Sequence, residues 1–155
     1  ASLSERRSFF LLDQYGFLTP EPGINSGFMI AQVSQASLVS TLKNRSYPAS
    51  VDSIPTSGNQ EDFVSMSSVS ALRAYESVDR LRDVLAWELY MVLQALRITG
   101  RWDKLPSGLR RIYDTLLEDR RYRVRLPDGD LYMMEEHGKL IRALESGELL
   151  LFADS

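Results

Sequence analysis

A chain of 155 residues has room for one domain and on folding buries roughly two thirds of its unfolded surface. Its 44% hydrophobic and 25% charged residues place it outside the collagen-like, mucin-like and wholly disordered classes, and a net charge of −3 argues against a protein built to coat nucleic acid. The absence of cysteine removes disulfides, thiolate nucleophiles and cysteine-ligated zinc, and a single histidine, His137, makes a His-rich metal site impossible. No run approaches 18 apolar residues, and Ala1-Ser2-Leu3-Ser4-Glu5-Arg6-Arg7 lacks the basic-then-apolar order of a signal peptide. The expectation is a cytoplasmic protein with neither a membrane nor a nucleic acid as partner.

In chain order, Phe9 to Leu18 is aromatic and apolar and stops at Thr19-Pro20-Glu21-Pro22-Gly23, where two prolines and a glycine forbid a continuing helix. Asn25 reads as a cap for a helix over Ser26 to Lys43, with Gly27, Ala31 and Ser34 on one small face and Ile30, Val33 and Leu38 supplying apolar bulk. The polar stretch Asn44 to Gln60, with Pro48, Pro55 and Gly58, reads as a loop. Helical periodicity resumes near Gln60 and runs to Ile98, stopped by Thr99-Gly100, with Val78, Leu81, Leu85, Leu89, Val92 and Leu96 three or four apart.

A helix of that length spans roughly 58 Å at 1.5 Å per residue, longer than one small domain can cover. Between Val84 and Leu96 only Glu88 and Gln94 interrupt apolar residues, so this part needs neighbours on every side, and other chains are the expected source. Beyond it come a shorter helix after Pro106-Ser107, a basic strand or loop from Arg120 to Arg125, a Pro127-Asp128-Gly129 turn, and an acidic helix from about Leu131 to Ser146. The fold class is all-α, with the chain divided into a lead-in (1–24), a helix plus pocket loop (25–59), a long core helix (60–99) and C-terminal helices (100–155).

Glu61 and Asp62 follow Asn59-Gln60 where the long helix is expected to start, and free backbone N–H groups there favour acidic residues as N-terminal caps. Their surroundings point further. The string Val51-Asp52-Ser53-Ile54-Pro55-Thr56-Ser57-Gly58-Asn59-Gln60-Glu61-Asp62-Phe63-Val64-Ser65-Met66 resembles the signature of histidine ammonia-lyase and its relatives, the aromatic amino acid lyases and aminomutases. Leu3-Ser4-Glu5-Arg6-Arg7 and Asn25-Ser26-Gly27-Phe28-Met29-Ile30-Ala31-Gln32 resemble that family in the same order and at similar spacing. The resemblance covers most of residues 3 to 100, and Arg121 to Leu149 is similar, more loosely, to the family's C-terminal end.

The resemblance implies an ammonia-lyase (fumarase/aspartase-like) bundle of long helices, present as its C-terminal segment and assembled as a homotetramer through the long helix. It implies a methylidene-imidazolone electrophile, made by cyclisation of Ala-Ser-Gly, that activates an amino acid for loss of ammonia. This chain contains no Ala-Ser-Gly, since Ala1-Ser2, Ala36-Ser37 and Ala49-Ser50 lack the glycine, and the family's tyrosine base and carboxylate-binding arginine belong to upstream parts. The expectation is therefore a fragment, or one chain of a split enzyme, whose N-terminal catalytic chain or segment brings the electrophile.

By the same resemblance Glu61 matches the glutamate that meets the substrate imidazole in histidine-specific members. Met29 matches a pocket wall that is methionine in histidine-specific lyases and lysine in plant phenylalanine lyases. Asn59 and Gln60 match polar residues beside the cofactor, where an amide can donate and accept at once, their structural alternative being to bond the loop backbone. Phe63 stands where histidine-specific members commonly carry histidine, and Ser67-Ser68 replace a small-residue pair with glycine, so phenylalanine, tyrosine or a 2,3-aminomutase reaction stay open beside histidine.

Other features read as structural. His137 is expected to be a surface imidazole near helix acids, with no metal role. Arg120-Arg121-Tyr122-Arg123-Val124-Arg125 is expected to pair with the acidic tail rather than with nucleic acid, and Arg6 and Arg7 with acids across a bundle. Trp87, Tyr90 and Met91 read as core or interface. The rival from another class is a non-catalytic helical assembly module that keeps the long helix as a scaffold.

Overall fold

The computed structural model describes residues 16–21 and 23–152, so Leu3 to Arg7 and most of Phe9 to Leu18 lie outside the described residues. Among the described residues four α-helices carry the fold: α1 (Met29–Arg45), α2 (Ser67–Thr99), α3 (Ser107–Glu118) and α4 (Met134–Ser146), joined by loops and short 3-10 turns. Among the described residues there is no strand, and Thr56 and Glu61 form an isolated antiparallel bridge. The basic stretch from Arg120 to Arg125 is loop.

Helix α1 starts at Met29 rather than Ser26, because Gly27 sits at φ +50° in a turn that brings its backbone against the Phe17 carbonyl. It ends with Lys43 and Arg45 in its last turn, where cations complement the helix dipole, and Pro48 follows. The small face packs inward: Gly27 and Ala31 are buried, while Ile30 and Val33 stand exposed. Gln35 on that face donates from Nε2 to the Val84 carbonyl (3.0 Å) and to Glu88 Oε2 (3.2 Å), pinning α1 to α2.

Helix α2 is 33 residues long, about 50 Å, and closes on Gly100 in the left-handed region. It is shorter than expected at its start: residues 60–66 are loop, so Glu61 and Asp62 do not cap it, and its first turn holds no acidic residue. All its buried residues (Ala86, Trp87, Tyr90, Leu93 and Gln94) lie past residue 85. Val69, Leu72, Tyr75, Val78, Leu81 and Leu85 recur every three or four residues and are all exposed, forming a stripe that nothing among the described residues covers.

The core gathers on the second half of α2. Phe28 meets Tyr90 edge-on at 4.9 Å, and Leu116, Tyr122, Val124, Leu140 and Ala143 complete the cluster from α3, the loop after it and α4. The charged tail folds onto itself: Arg121 binds Asp119 (2.6 Å) and Glu148 (2.8 Å), and Arg125 binds Glu135 (3.1 Å) and Glu136 (2.7 Å). The intramolecular pairing expected for the basic stretch is thus present at Arg121 and Arg125. Arg121 holds the Asp119 carboxyl down to about 2.

His137 corrects its expected surface position. It is 4% exposed and stacks on Trp87 with ring centroids 4.1 Å apart, its Nε2 3.1 Å from the Asp83 carbonyl oxygen. The reason is register: Met133, His137, Leu140 and Leu144 fall on one face of α4, and that face packs on α2.

Glu136 is fully buried beside it and accepts from the Arg125 backbone N–H (2.7 Å), Arg125 Nε (2.7 Å) and Lys139 Nζ (2.9 Å). Burial pushes this carboxyl up, but those donors outweigh burial and hold it below its ordinary value. Next to it the Tyr90 phenol, raised by burial and by the Glu136 charge, donates to the Arg125 carbonyl at 2.8 Å. A carboxyl lowered in the folded state stabilises the fold above its unfolded pKa of about 4.3, and that contribution disappears as pH falls through the folded value. Denaturation midpoints measured from pH 6 to pH 3 should therefore fall most steeply below about pH 4.5. Glu136→Gln should flatten that slope and destabilise the fold by about 1–3 kcal/mol at neutral pH.

Candidate functional site

The segment from Ser53 to Val64 forms a loop closed twice by its own groups. At its base the Val64 N–H donates to Ser53 Oγ at 3.0 Å. At its tip Thr56 and Glu61 exchange backbone hydrogen bonds (3.1 and 3.4 Å), and the Asn59 and Gln60 N–H groups donate to the Thr56 and Ser57 carbonyls. Closing the tip so tightly puts three successive residues in the left-handed region: Ser57 (φ 53°), Gly58 (φ 65°) and Asn59 (φ 69°). Glycine adopts this region freely and asparagine better than most side chains, so Gly58-Asn59 suits the turn, while Ser57 is held there by the bonds around it.

These closures are made by backbone groups and by Ser53. The side chains of Asn59, Gln60 and Glu61 are exposed and take no part in any hydrogen bond or ion pair among the described residues. The structural alternatives from sequence, amides bonding the loop backbone and an acid capping α2, are thus not what these side chains do. Two amides and a carboxylate stand next to one another on one turn, uncommitted to the fold, with Phe63 two residues on and 69% exposed.

Met29 lies elsewhere. It opens α1 and lines an open groove of about 560 Å³ with Ile30, Val33, Trp87, Met134 and His137, among others, and none of Asn59, Gln60 or Glu61 reaches that groove. Within one chain the expected site residues therefore form two separate surfaces, the loop and the groove. His137 and Trp87 on the groove wall went unnoticed as site residues from sequence; the spacing Met133, His137, Leu140, Leu144 is the signal that places the histidine on the packed face of α4. No group of three or more His, Asp or Glu that could hold a metal ion occurs among the described residues, and no helix there is long and apolar enough to cross a membrane.

The family model for aromatic amino acid lyases matches residues 1–118. Histidine ammonia-lyase of Halalkalibacterium halodurans is 41% identical over 152 residues, covering 95% of this chain and 29% of that protein. Histidine ammonia-lyase of Macrococcus caseolyticus is 42% identical over 135 residues, covering 79% and 27% respectively. Among solved structures, tyrosine aminomutase from Streptomyces globisporus matches with a TM-score of 0.80 at 33% identity, over 97% of this chain and 29% of that one. Histidine ammonia-lyase from Trypanosoma cruzi matches with a TM-score of 0.80 at 30% identity, over 96% of this chain and 29% of that one. The all-α arrangement is that of these lyase and aminomutase structures, and the chain spans under a third of the length of the relatives it matches.

Ser53 ties the base of the loop and touches nothing that the tip uses. Ser53→Ala should leave helix content by circular dichroism unchanged while amide exchange at Val64 quickens about fivefold, the loss of one hydrogen bond of about 1 kcal/mol.

Proposed function

The chain belongs to the aromatic amino acid lyase family, and we propose that it is the C-terminal portion or subunit of an enzyme that eliminates ammonia from histidine or an aromatic amino acid. One observation carries the reading: a loop that satisfies its own backbone and leaves Asn59, Gln60 and Glu61 side by side with unspent hydrogen-bonding capacity. A pure scaffold has no use for such a row on a turn that holds three residues at positive φ, and the scaffold alternative is the weaker for it.

Glu61 takes the role of recognising the substrate side chain. A carboxylate accepts from an imidazole N–H in a charge-assisted hydrogen bond about twice as strong as a neutral one. Met29 supplies an apolar wall. Asn59 and Gln60 fit a methylidene-imidazolone by their chemistry, since each amide offers two N–H donors with no partner among the described residues, and the ring's carbonyl oxygen and imine nitrogen accept. That group, when present, supplies the electrophile for ammonia loss. With no Ala-Ser-Gly in this sequence it comes from an N-terminal catalytic chain or segment, and this chain binds and orients.

The exposed stripe on α2 supports a homotetramer-type assembly through the long helix, because an apolar row of that length needs cover. The lack of cysteine suits a cytoplasmic enzyme. A second reading, an aromatic amino acid 2,3-aminomutase, draws on Phe63 in the loop and on the match to tyrosine aminomutase.

The test is Glu61→Ala in the complete enzyme. With histidine as substrate, kcat/KM should fall by roughly one to two orders of magnitude, the range set by one hydrogen bond to a charged group, while the far-UV spectrum is unchanged. Turnover of phenylalanine or tyrosine should fall much less. Near-normal turnover of every candidate amino acid would remove Glu61 from the site, and formation of a β-amino acid in the wild-type reaction would favour the mutase.

A further inference from the structure

We propose that Asp130 is a positioning residue for the substrate pocket, acting from beyond the residues that the family model matches by fixing the turn from which Met29 projects. The proposal rests on the reading of Met29 as a pocket wall. Helix α1 begins without a capping side chain of its own: Phe28 occupies the cap position with no cap bond, and the first turn holds no acidic residue. The turn just ahead of that start is tied from far along the chain. Asp130 Oδ1 accepts the Ser26 N–H at 2.9 Å and the Gly27 N–H at 3.4 Å, across more than 100 residues of sequence.

The next two N–H groups are also taken, Phe28 by the Phe17 carbonyl at 2.8 Å and Met29 by the Ser26 carbonyl at 3.2 Å. Every donor from Ser26 to Met29 thus has one fixed acceptor. The fit is close at Gly27, where a Cβ would lie 2.4 Å from the Phe17 carbonyl oxygen. The loop leading to Asp130 is held by α2: Gln94 Nε2 donates to the Pro127 carbonyl at 2.8 Å, and Arg97 donates to the Leu126 carbonyl at 2.7 Å and to Asp128 Oδ1 at 2.6 Å. The C-terminal loop is therefore a strap fastened to the long helix, with the Asp130 carboxylate accepting from the turn before Met29.

Without that acceptor the first turn of α1 loosens and Met29 loses a fixed direction, while the loop carrying Asn59, Gln60 and Glu61 is untouched. A displaced wall weakens the hold on ground state and transition state alike, which reads as a raised KM at constant kcat. A general loss of fold removes active enzyme instead and reads as a lowered kcat at constant KM.

The experiment compares Asp130→Ala, Asp130→Asn and Met29→Ala in the complete enzyme, with histidine, phenylalanine and tyrosine as substrates and with hydrogen exchange followed over residues 25–30. Asp130→Ala should raise KM about five- to tenfold with kcat within about twofold, shift substrate preference in the same direction as Met29→Ala, and quicken exchange over residues 25–30. Asp130→Asn keeps an acceptor oxygen and should restore KM to within about twofold of wild type. If Met29→Ala alters KM while Asp130→Ala does not, the positioning role is overturned and the pocket reading stands. If Met29→Ala leaves KM and preference unchanged, the pocket reading fails and the proposal with it. A fall in kcat at constant KM that Asn does not rescue would make Asp130 merely structural and overturn the proposal.

Discussion

The side-chain amide of Gln94, 1% exposed inside the second half of α2, donates to two segments that lie far apart in sequence: the Leu18 carbonyl at 3.1 Å and the Pro127 carbonyl at 2.8 Å. Leu18 ends a short 3-10 turn (Gly16–Leu18) and Pro127 lies in loop, and neither segment runs on into an α-helix there. In a buried setting an unmet carbonyl costs about 1–3 kcal/mol, so one amide fixes where the chain enters the core and where it returns from α3. Much of the site's framework follows from those two anchors. Phe17, next to Leu18, accepts from Phe28, and Asp130, three residues past Pro127, accepts from Ser26 and Gly27. The turn before α1 is thus gripped between two segments that Gln94 of α2 ties down, with Arg97 adding its bonds to the second.

Helix α2 serves two environments along its length. Past residue 85 one face carries Ala86, Trp87, Tyr90, Leu93 and Gln94, all buried by this chain's own helices. Before it no residue is buried, although Val69, Leu72, Tyr75, Val78 and Leu81 keep the helical spacing of a packed face. A helix about 50 Å long outruns the packing that one small domain offers, and the surplus carries apolar residues rather than the charges that would solvate it. Length and pattern together make this end of the helix a surface for cover.

The helices and the loop signature were legible because they rest on local rules. Gly100 ends α2 in the left-handed conformation that its stop signal implies, and Pro106 opens α3 as expected. What local reading missed was long-range. The acids at 61 and 62 looked like caps because a first turn favours negative charge, yet the bridge between Thr56 and Glu61 consumes that stretch as a turn and delays α2 to Ser67. His137 looked exposed because its neighbours are Glu135, Glu136 and Gly138, whereas the face it shares with Leu140 and Leu144 decides its burial. Asn25 looked like the cap of α1, yet Phe28 holds the cap position without a side-chain bond, and the turn before it is tied by Asp130, which no spacing rule connects to it.

Of the candidate site, the string from Asn59 to Glu61 was legible as one unit, and its geometry keeps it one unit. Met29 was legible as a member of the same site only through resemblance, and the single chain sets it on another surface, beside Trp87 and His137. Both surfaces are exposed, and each presents what a pocket uses: unspent polar groups on the loop, apolar side chains on the groove. Polar groups on a solvated turn recognise little, because water competes for every bond they make. Selectivity from such groups requires that water be excluded, and no described residue covers the loop tip or the stripe on α2. The loop, the groove and the stripe are thus faces that the described residues leave open, while the second half of α2 is packed by the chain's own helices.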